Sequence, residues 1–487
     1  MKLRNYQKIL NAAVLAFLES NSVRGQVYAP TGSGKTVCFI KIIEHAIANG
    51  AKNIAVIHPR IALSQDQLRR FQSAFGTGVH FTSFHSGGHI AGQNTIKEIH
   101  TCDAEELKTV LEQTTRPHIT FSSYKSFGKI ADIEFDMVIA DEAHNFVEPQ
   151  FYEYLPNIKA KKILFYTATP VTDEMYETEY MMDYSLFGKV IASVEPRELI
   201  AGAYIVAPLI HTLELTTNEK ANMADPVSMI ARAFIEQYKE ITSHGMKFAQ
   251  MLVAARGLSD LRKVEEELVT LWKILDTESD GLLGKVDVYT IDGGAAYHNG
   301  KLLKDRDTAL QRIKKSGKNA IVIHYDTLAE GIDIDSLTGA LIMRRLSKSK
   351  FLQTIGRCGR PFAEDIGSDG EPRKDRFDPE NHIDTRVKPR CIVTIPVVDG
   401  SFIGNFEGVE YSEAFIAAGY DDLWTYTHQP DDDPTGWGGG KKGDEPPLLS
   451  SILDHSIQRE IVDIQALFDK MAAGIQYENS CICKSLH

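Results

Sequence analysis

The sequence predicts an α/β fold of two tandem doubly wound parallel-sheet domains with a small C-terminal extension. Three observations lead there. Short apolar runs rich in β-branched residues alternate with amphipathic helical stretches through most of the first 400 residues, the pattern of parallel strands covered on both faces by helices. The runs fall into two clusters separated by residues 171–247, a stretch rich in Met, Tyr and Glu that begins after Pro170. At 487 residues the chain also exceeds one ordinary core, since a domain takes roughly 100–200 residues.

In the first cluster the predicted strands are 25–29, 53–58, 118–122, 136–140 and 162–167. In the second they are 248–254, 286–291, 319–324, 339–343 and 390–395. The join falls near 190–200, giving a first domain at 1–192, a second at 193–400 and an extension at 401–487. Two segments break the alternation. Residues 363–388 crowd charges of both signs with Gly and Pro, and read as an exposed insertion. Residues 421–447 contain Asp431-Asp432-Asp433 and a Gly-rich run, and read as a mobile loop. Beyond them Ile452, Leu453, Ile457, Ile461, Ile464, Leu467, Phe468 and Met471 recur at helical spacing, which predicts a terminal helix packed on the second domain.

Hydrophobic residues make up 43% and charged residues 24%, a globular composition with ample apolar surface to bury. The opening residues lack a signal-peptide core, and no later run is long enough without charge to span a bilayer, so the expected location is cytoplasmic, or nuclear if the cell has a nucleus. The six cysteines lack zinc-site spacing and disulfide density, so free thiols are expected, including the terminal Cys481 and Cys483. A net charge of −13 argues against a protein that coats nucleic acid by bulk electrostatics. It leaves room for one that grips phosphates through a few loops in a locally basic cleft.

The strongest local signal is Ala29-Pro30-Thr31-Gly32-Ser33-Gly34-Lys35-Thr36, set after a predicted strand and before a helical run. Small residues let backbone N–H groups turn inward around phosphate oxygens, and the following helix adds its positive end. Lys35 supplies a cation to the β- and γ-phosphates, and Thr36 a hydroxyl for magnesium. A second carboxylate-bearing strand must help hold the metal, and Met137-Val138-Ile139-Ala140 runs into Asp141-Glu142-Ala143-His144. An Asp at a buried strand end can reach Mg2+, while the adjacent Glu can take a proton from attacking water. The expected cofactors are therefore ATP and Mg2+.

These residues resemble the superfamily 2 helicases of DEAH-box type, and the match continues in order along residues 4 to about 400. The Ala at the first loop position is a variant common in that family. Arg4, Tyr6 and Gln7 in Arg4-Asn5-Tyr6-Gln7 look like its adenine-reading element, in which the Gln amide pairs with the base edge. The run from His58-Pro59-Arg60 to Gln65 resembles the motif that touches the nucleic acid backbone, through Pro59 and Arg60. Thr167-Ala168-Thr169-Pro170 is similar to the motif coupling the ATP site to the strand-binding face. Phe187-Gly188-Lys189-Val190 and the run from Glu198 to Ile205 look like the interdomain connection of restriction-enzyme motor subunits and phage recombination or branch-remodelling helicases.

In the second half, the run from Thr327 to Asp333 resembles motif V, which implies Thr327 near nucleic acid and Gly331 and Asp333 near the nucleotide. The run from Gln353 to Pro361 resembles motif VI, which implies that Arg357 and Arg360 reach the phosphates across the cleft. Arginine suits that task because its planar, always protonated guanidinium can neutralise charge on the γ-phosphoryl oxygens. Cys358 between them reads as a packing residue, and Arg256 either as a nucleic acid contact or as a surface arginine at a helix start.

The resemblance implies two RecA-like domains and an ATP-dependent helicase or translocase that grips nucleic acid without reading its sequence, with DNA preferred over RNA. Unwinding or branch remodelling by a viral, phage or bacterial protein is the first reading. The alternatives are a duplex-translocating subunit of a restriction or defence complex, an RNA helicase, and a non-hydrolysing scaffold. No nuclease cluster is evident, no membrane is expected to bind, and protein partners are expected through 401–487.

Overall fold

The computed structural model of the chain describes residues 2–87, 98–171, 181–215, 225–243, 245–293, 295–325, 334, 336–344, 346–398, 401–402 and 420. The first cluster of apolar runs forms β1 (Arg24–Tyr28), β2 (Asn53–His58), β3 (His80–Phe84), β4 (Glu98–Thr101), β5 (His118–Ser123), β6 (Phe135–Asp141), β7 (Ala160–Thr167) and β8 (Lys189–Ser193). They make one sheet in the order β4-β3-β5-β2-β6-β7-β1-β8, with every pairing parallel. Helices α1 (Asn5–Glu19), α2 (Lys35–Ala48) and α3 (Ile61–Phe75) belong to this lobe. Central β2 shows why its run is continuously apolar. Ile54 and Val56 enter one core layer, and Ala55 and Ile57 enter the other.

The second sheet contains β9 (Ala207–Leu215), β10 (Gln250–Ala254), β11 (Asp287–Ile291), β12 (Ala296–His298), β13 (Lys301–Leu302), β14 (Ala320–His324) and β15 (Gly339–Ile342). After a separate hairpin of β16 (Phe377–Asp378) and β17 (Ile383–Asp384), β18 (Arg390–Val398) and β19 (Ser401–Phe402) complete it. The order is β13-β12-β11-β14-β10-β15-β18-β19, with β9 parallel to β18. Met251 and Val253 of β10 face one layer and Leu252 and Ala254 the other, so this lobe too is doubly covered.

All ten predicted strands are present, whereas the stretch at 171–247 is not the strandless separator expected. β8 joins the first sheet and β9 the second, with helix Pro196–Ala201 between them and helix Pro226–Ser243 after them. Edge strands escaped detection because they are short and half-exposed: β8 has no fully buried residue and β4 only one.

The segment at 363–388 is likewise more than an exposed insertion. Asp365 is buried, its carboxylate accepting from the backbone N–H groups of Val387 at 2.7 Å and Lys388 at 3.1 Å. The fully buried Lys388 ammonium donates to the carbonyls of Leu337 at 2.5 Å and Arg360 at 2.7 Å. Its outer charges pair within the segment, Arg373 with Asp375 and Arg386 with Asp384, which is why a charge-rich composition still folds.

Cys38, Cys358 and Cys391 are buried free thiols and Cys102 is an exposed one. Cys481, Cys483, the 421–447 loop and the predicted terminal helix lie outside the described residues. No helix among the described residues is long and apolar enough to cross a membrane.

His118 on β5 is fully buried, its Nε2 2.9 Å from Thr82 Oγ1. Burial, and then the charge of neighbouring His80, push its pKa down to about 4. An unfolded imidazole takes up its proton near pH 6.5, roughly, so the folded chain forgoes that proton and loses stability as pH falls from there towards 4. The loss amounts to about 3 kcal/mol across that window. His118→Gln should flatten this part of a plot of melting temperature against pH, and an unchanged slope would count against the assignment.

Candidate active site

The phosphate loop hangs between β1 and α2. Gly32 and Gly34 hold φ of +86° and +76°, left-handed conformations that glycine adopts without a Cβ penalty. α2 begins at Lys35, so its positive N-terminal end faces the loop. Lys35 Nζ donates to the Ala29 carbonyl at 3.3 Å and lies 3.8 Å from Glu142 Oε1. Thr36 follows, partly buried.

Asp141 ends β6 and is buried. Its Oδ2 accepts from Gln67 Nε2 at 2.7 Å and lies 3.7 Å from His58 Nδ1, while its Oδ1 accepts from the Glu142 N–H at 3.1 Å. Tyr124 donates its hydroxyl to the Asp141 carbonyl. Burial raises the Asp141 pKa, yet facing His58 and Lys35 outweigh burial and hold the carboxyl below its ordinary value. Glu142 sits at φ +54°, a strained conformation for a residue with a side chain. Its Oε2 is buried without a hydrogen-bond partner, as are Thr31 Oγ1 and Ser33 Oγ. Sealing such atoms is costly unless a ligand meets them, so this cradle fits a bound triphosphate and its water. The described residues contain no group of three or more His, Cys, Asp or Glu able to hold a metal. The pair Thr36 and Asp141 still suits magnesium, which takes few protein ligands and completes its shell with phosphate oxygens and water.

Across from the loop lies helix Lys348–Cys358, whose N-terminus is capped by Ser347 accepting from the Lys350 N–H at 3.3 Å. Gly356 presses its bare face on the loop: a Cβ there would meet Thr31 Cβ at 2.4 Å. A Cβ on Gly32 would lie 3.1 Å from the Gly356 carbonyl and 3.7 Å from Arg360 Cγ. The two lobes therefore touch at this point, Gly356 against Thr31 and Gly32. Arg357 is buried one helical position beyond that contact, and Cys358 is fully buried in the core, burial pushing its thiol pKa up. Burial lowers the Arg360 pKa to about 10, with the charges of Arg70 and Arg4 adding to the effect and Asp66 opposing it. Such a guanidinium stays charged at neutral pH and gains from an arriving anion.

Three side-chain links escaped the sequence reading. Buried His144 places Nδ1 at 2.9 Å from Thr167 Oγ1 and 3.2 Å from Thr169 Oγ1, and Nε2 at 3.0 Å from Ser349 Oγ of the other lobe. Burial lowers its pKa, so it bridges the lobes as a neutral ring. Gln67, two residues beyond the 58–65 run, holds Asp141. Tyr204 joins the element at Arg4–Gln7, its ring edge-on to Tyr6 at 4.7 Å.

That element differs from expectation in one respect. Gln7 is buried, donates Nε2 to the Ser33 carbonyl at 2.8 Å, and accepts the Arg4 N–H on Oε1 at 2.9 Å. Tyr6 also donates to the Ser33 carbonyl. The Nε2 end of the Gln7 amide thus serves the phosphate loop while its Oε1 end closes the N-terminus of α1 on Arg4, because that helix start packs against the loop.

Pro59 and Arg60 follow β2 at its C-terminal end, with Arg60 exposed. Arg256 pairs with Asp260 at 2.9 Å at the start of helix Leu258–Glu266, as a helix-start arginine would. Thr327, Gly331 and Asp333 lie outside the described residues.

Residues 1–172 match the family described as type III restriction enzyme, res subunit, and residues 272–361 match the helicase conserved C-terminal domain. No curated protein matches the chain. The DNA-bound ATP-dependent type ISP restriction-modification enzyme LlaBIII superposes with a TM-score of 0.64 at 17% identity, covering 89% of this chain and 32% of that one. A nuclease-deletion mutant of the type ISP enzyme LlaGI, in complex with a DNA substrate mimic, gives 0.57 at 16% identity over 87% of this chain and 30% of that one. This chain thus spans about a third of the length of either, and at such identity the likeness speaks for the fold of two RecA-like domains. With the phosphate loop and acidic strand inside the first family match and the paired arginines closing the second, the chain carries the domain pair of a superfamily 2 ATP-dependent helicase or translocase.

Proposed function

We propose that this domain pair is a DEAH-box DNA motor that binds ATP between its lobes and converts hydrolysis into movement along, or remodelling of, DNA without reading sequence. The observation that carries the reading is the contact of Gly356 with Thr31 and Gly32, beside which Arg360 Cγ also lies, with Arg357 next to Gly356 on the same helix. The loop amides and Lys35 would bind the β- and γ-phosphates, and Glu142 would take the proton of the attacking water. Magnesium held by Thr36 and Asp141 would neutralise charge on the transferring phosphoryl group. Arg357 and Arg360 would sense the γ-phosphate from the other lobe, so its loss weakens the bridge and lets the lobes part. His144, joined to Thr167, Thr169 and Ser349, would carry that change towards the strand-binding face, where Pro59, Arg60 and Thr327 grip the backbone.

Strand separation or branch remodelling, by a phage, viral or bacterial protein, is the first use of such a motor. The match to a restriction res subunit and the likeness to DNA-bound restriction-modification enzymes favour a second, duplex translocation within a restriction or defence assembly joined through residues 401–487. Either would act in the cytoplasm or at a nuclear or viral genome.

ATP turnover measured with single-stranded, duplex and branched DNA and with RNA as activators tests the reading. DNA is expected to stimulate turnover at least about tenfold more than RNA, since only contacts at the 2′-hydroxyl separate the two backbones. Best stimulation by duplex without strand separation selects the translocase, and best stimulation by branched or single strands selects the helicase. RNA as the best activator overturns the DNA assignment, and absent turnover leaves the scaffold.

A further inference from the structure

We infer that Glu371 is a positioning residue for the nucleotide site, a strut by which the second lobe holds the supports of the phosphate loop. The inference rests on the loop being the ATP site. Glu371 sits in the turn closed by the Ile366–Pro372 bridge, within the segment that follows the paired arginines. The turn is stiffened from inside: the Glu371 carbonyl accepts the Gly367 N–H at 2.7 Å, and the Glu371 N–H donates to Asp369 Oδ1 at 3.1 Å. At the base of the segment, Lys388 holds the Arg360 carbonyl. One folded segment thus fixes the arginine end and presents the carboxylate.

Glu371 reaches two groups of the first lobe and the connection. Its Oε1 accepts the Asn5 N–H at 2.8 Å, and its Oε2 accepts the Tyr204 hydroxyl at 2.5 Å. Asn5 is the first residue of α1, where unpaired N–H groups and the positive helix end favour a carboxylate. The next residues of that helix, Tyr6 and Gln7, donate to the Ser33 carbonyl inside the phosphate loop. Tyr204 meets Tyr6 edge-on, with ring centroids 4.7 Å apart. Glu371 therefore grips the helix that steadies the loop and the ring that steadies Tyr6. Its Tyr204 partner stays a donor, because burial and then the carboxylate itself raise the phenol pKa.

The consequence is separable from chemistry. The Glu371 carboxylate bonds to Asn5 and Tyr204, supports of the loop rather than the Glu142 that would activate water, so its loss loosens the loop while leaving that group in place. Glu371→Ala, Glu371→Gln, Tyr204→Phe and the Glu371→Ala/Tyr204→Phe pair are compared for equilibrium binding of a fluorescent ATP analogue, for KM and kcat of DNA-stimulated turnover, and for melting temperature. Lys35→Ala is the control. Glu371→Ala is expected to weaken binding and raise KM about tenfold, the scale of losing charge-assisted hydrogen bonds, with kcat within about twofold. Glu371→Gln should recover part of the loss, since its amide oxygen still accepts the Asn5 N–H. Tyr204→Phe should weaken binding alone but add little to Glu371→Ala, because both cut the same link.

Unchanged analogue binding in a folded Glu371→Ala, effects that multiply in the double variant, or a loss confined to kcat would overturn the inference. If Glu371→Ala binds normally while Lys35→Ala does not, the strut is wrong and the ATP site stands. If the unaltered chain never turns over ATP yet Glu371→Ala weakens nucleotide binding, the strut stands and the motor reading falls.

Discussion

Lys35→Ala is expected to lower nucleic-acid-stimulated ATP turnover by about 10³-fold or more, the scale of removing a charge-stabilising group from a phosphoryl-transfer site. The ammonium sits at the mouth of α2, on the Ala29 carbonyl at 3.3 Å and 3.8 Å from Glu142. No other group within the loop carries positive charge. Its removal takes away the cation meant for the β- and γ-phosphates and leaves the Glu142 carboxylate without its neighbour. Backbone amides and the helix end would still attract nucleotide weakly, so binding should fall less steeply than turnover. Steady-state turnover at saturating DNA, beside binding of an ATP analogue, measures both, and full turnover in the variant refutes the site assignment.

Gly356→Ala should give the second largest effect, and it sets helix stability against lobe closure. In the last turn of helix Lys348–Cys358, alanine is the better helix former by up to about 1 kcal/mol, so the variant should fold at least as stably as the parent. Its methyl group, however, would stand 2.4 Å from Thr31 Cβ, a rigid atom next to the backbone. Relief demands that the lobes separate by about 1 Å, a displacement that costs on the order of 10²-fold when it misplaces catalytic groups. Turnover should therefore fall about 10²-fold with melting temperature unchanged or raised. Parent-like turnover would show that helix and loop do not meet during the cycle.

Much of this was readable before folding. The strands at 53–58, 136–140 and 248–254 announced themselves because a parallel strand buried on both faces must be largely apolar. The loop from Ala29 to Thr36 was readable because its function lies in local backbone freedom, which Gly32 and Gly34 supply at left-handed φ. Edge strands such as β4 and β8 were not, since a strand covered on few sides needs no apolar run. Composition misjudged residues 363–388 for a related reason. Asp365 and Lys388 are buried, and their partners are backbone groups that a list of side chains does not reveal. Gln7 was assigned to a base edge by resemblance, but packing of α1 turned its amide to Ser33 and Arg4.

The order of residues by itself determined the strand-forming segments, the phosphate-cradling loop, the acidic strand end and the paired arginines. Each is a property of a short stretch, set by periodicity, glycine freedom or charge. Only the tertiary structure decided that Gly356 would rest on Thr31, that Ser349 would meet His144, and that Glu371 would reach Asn5 and Tyr204. Those contacts join residues far apart in the chain. Their geometry follows from how two closed cores pack together, which no local pattern encodes.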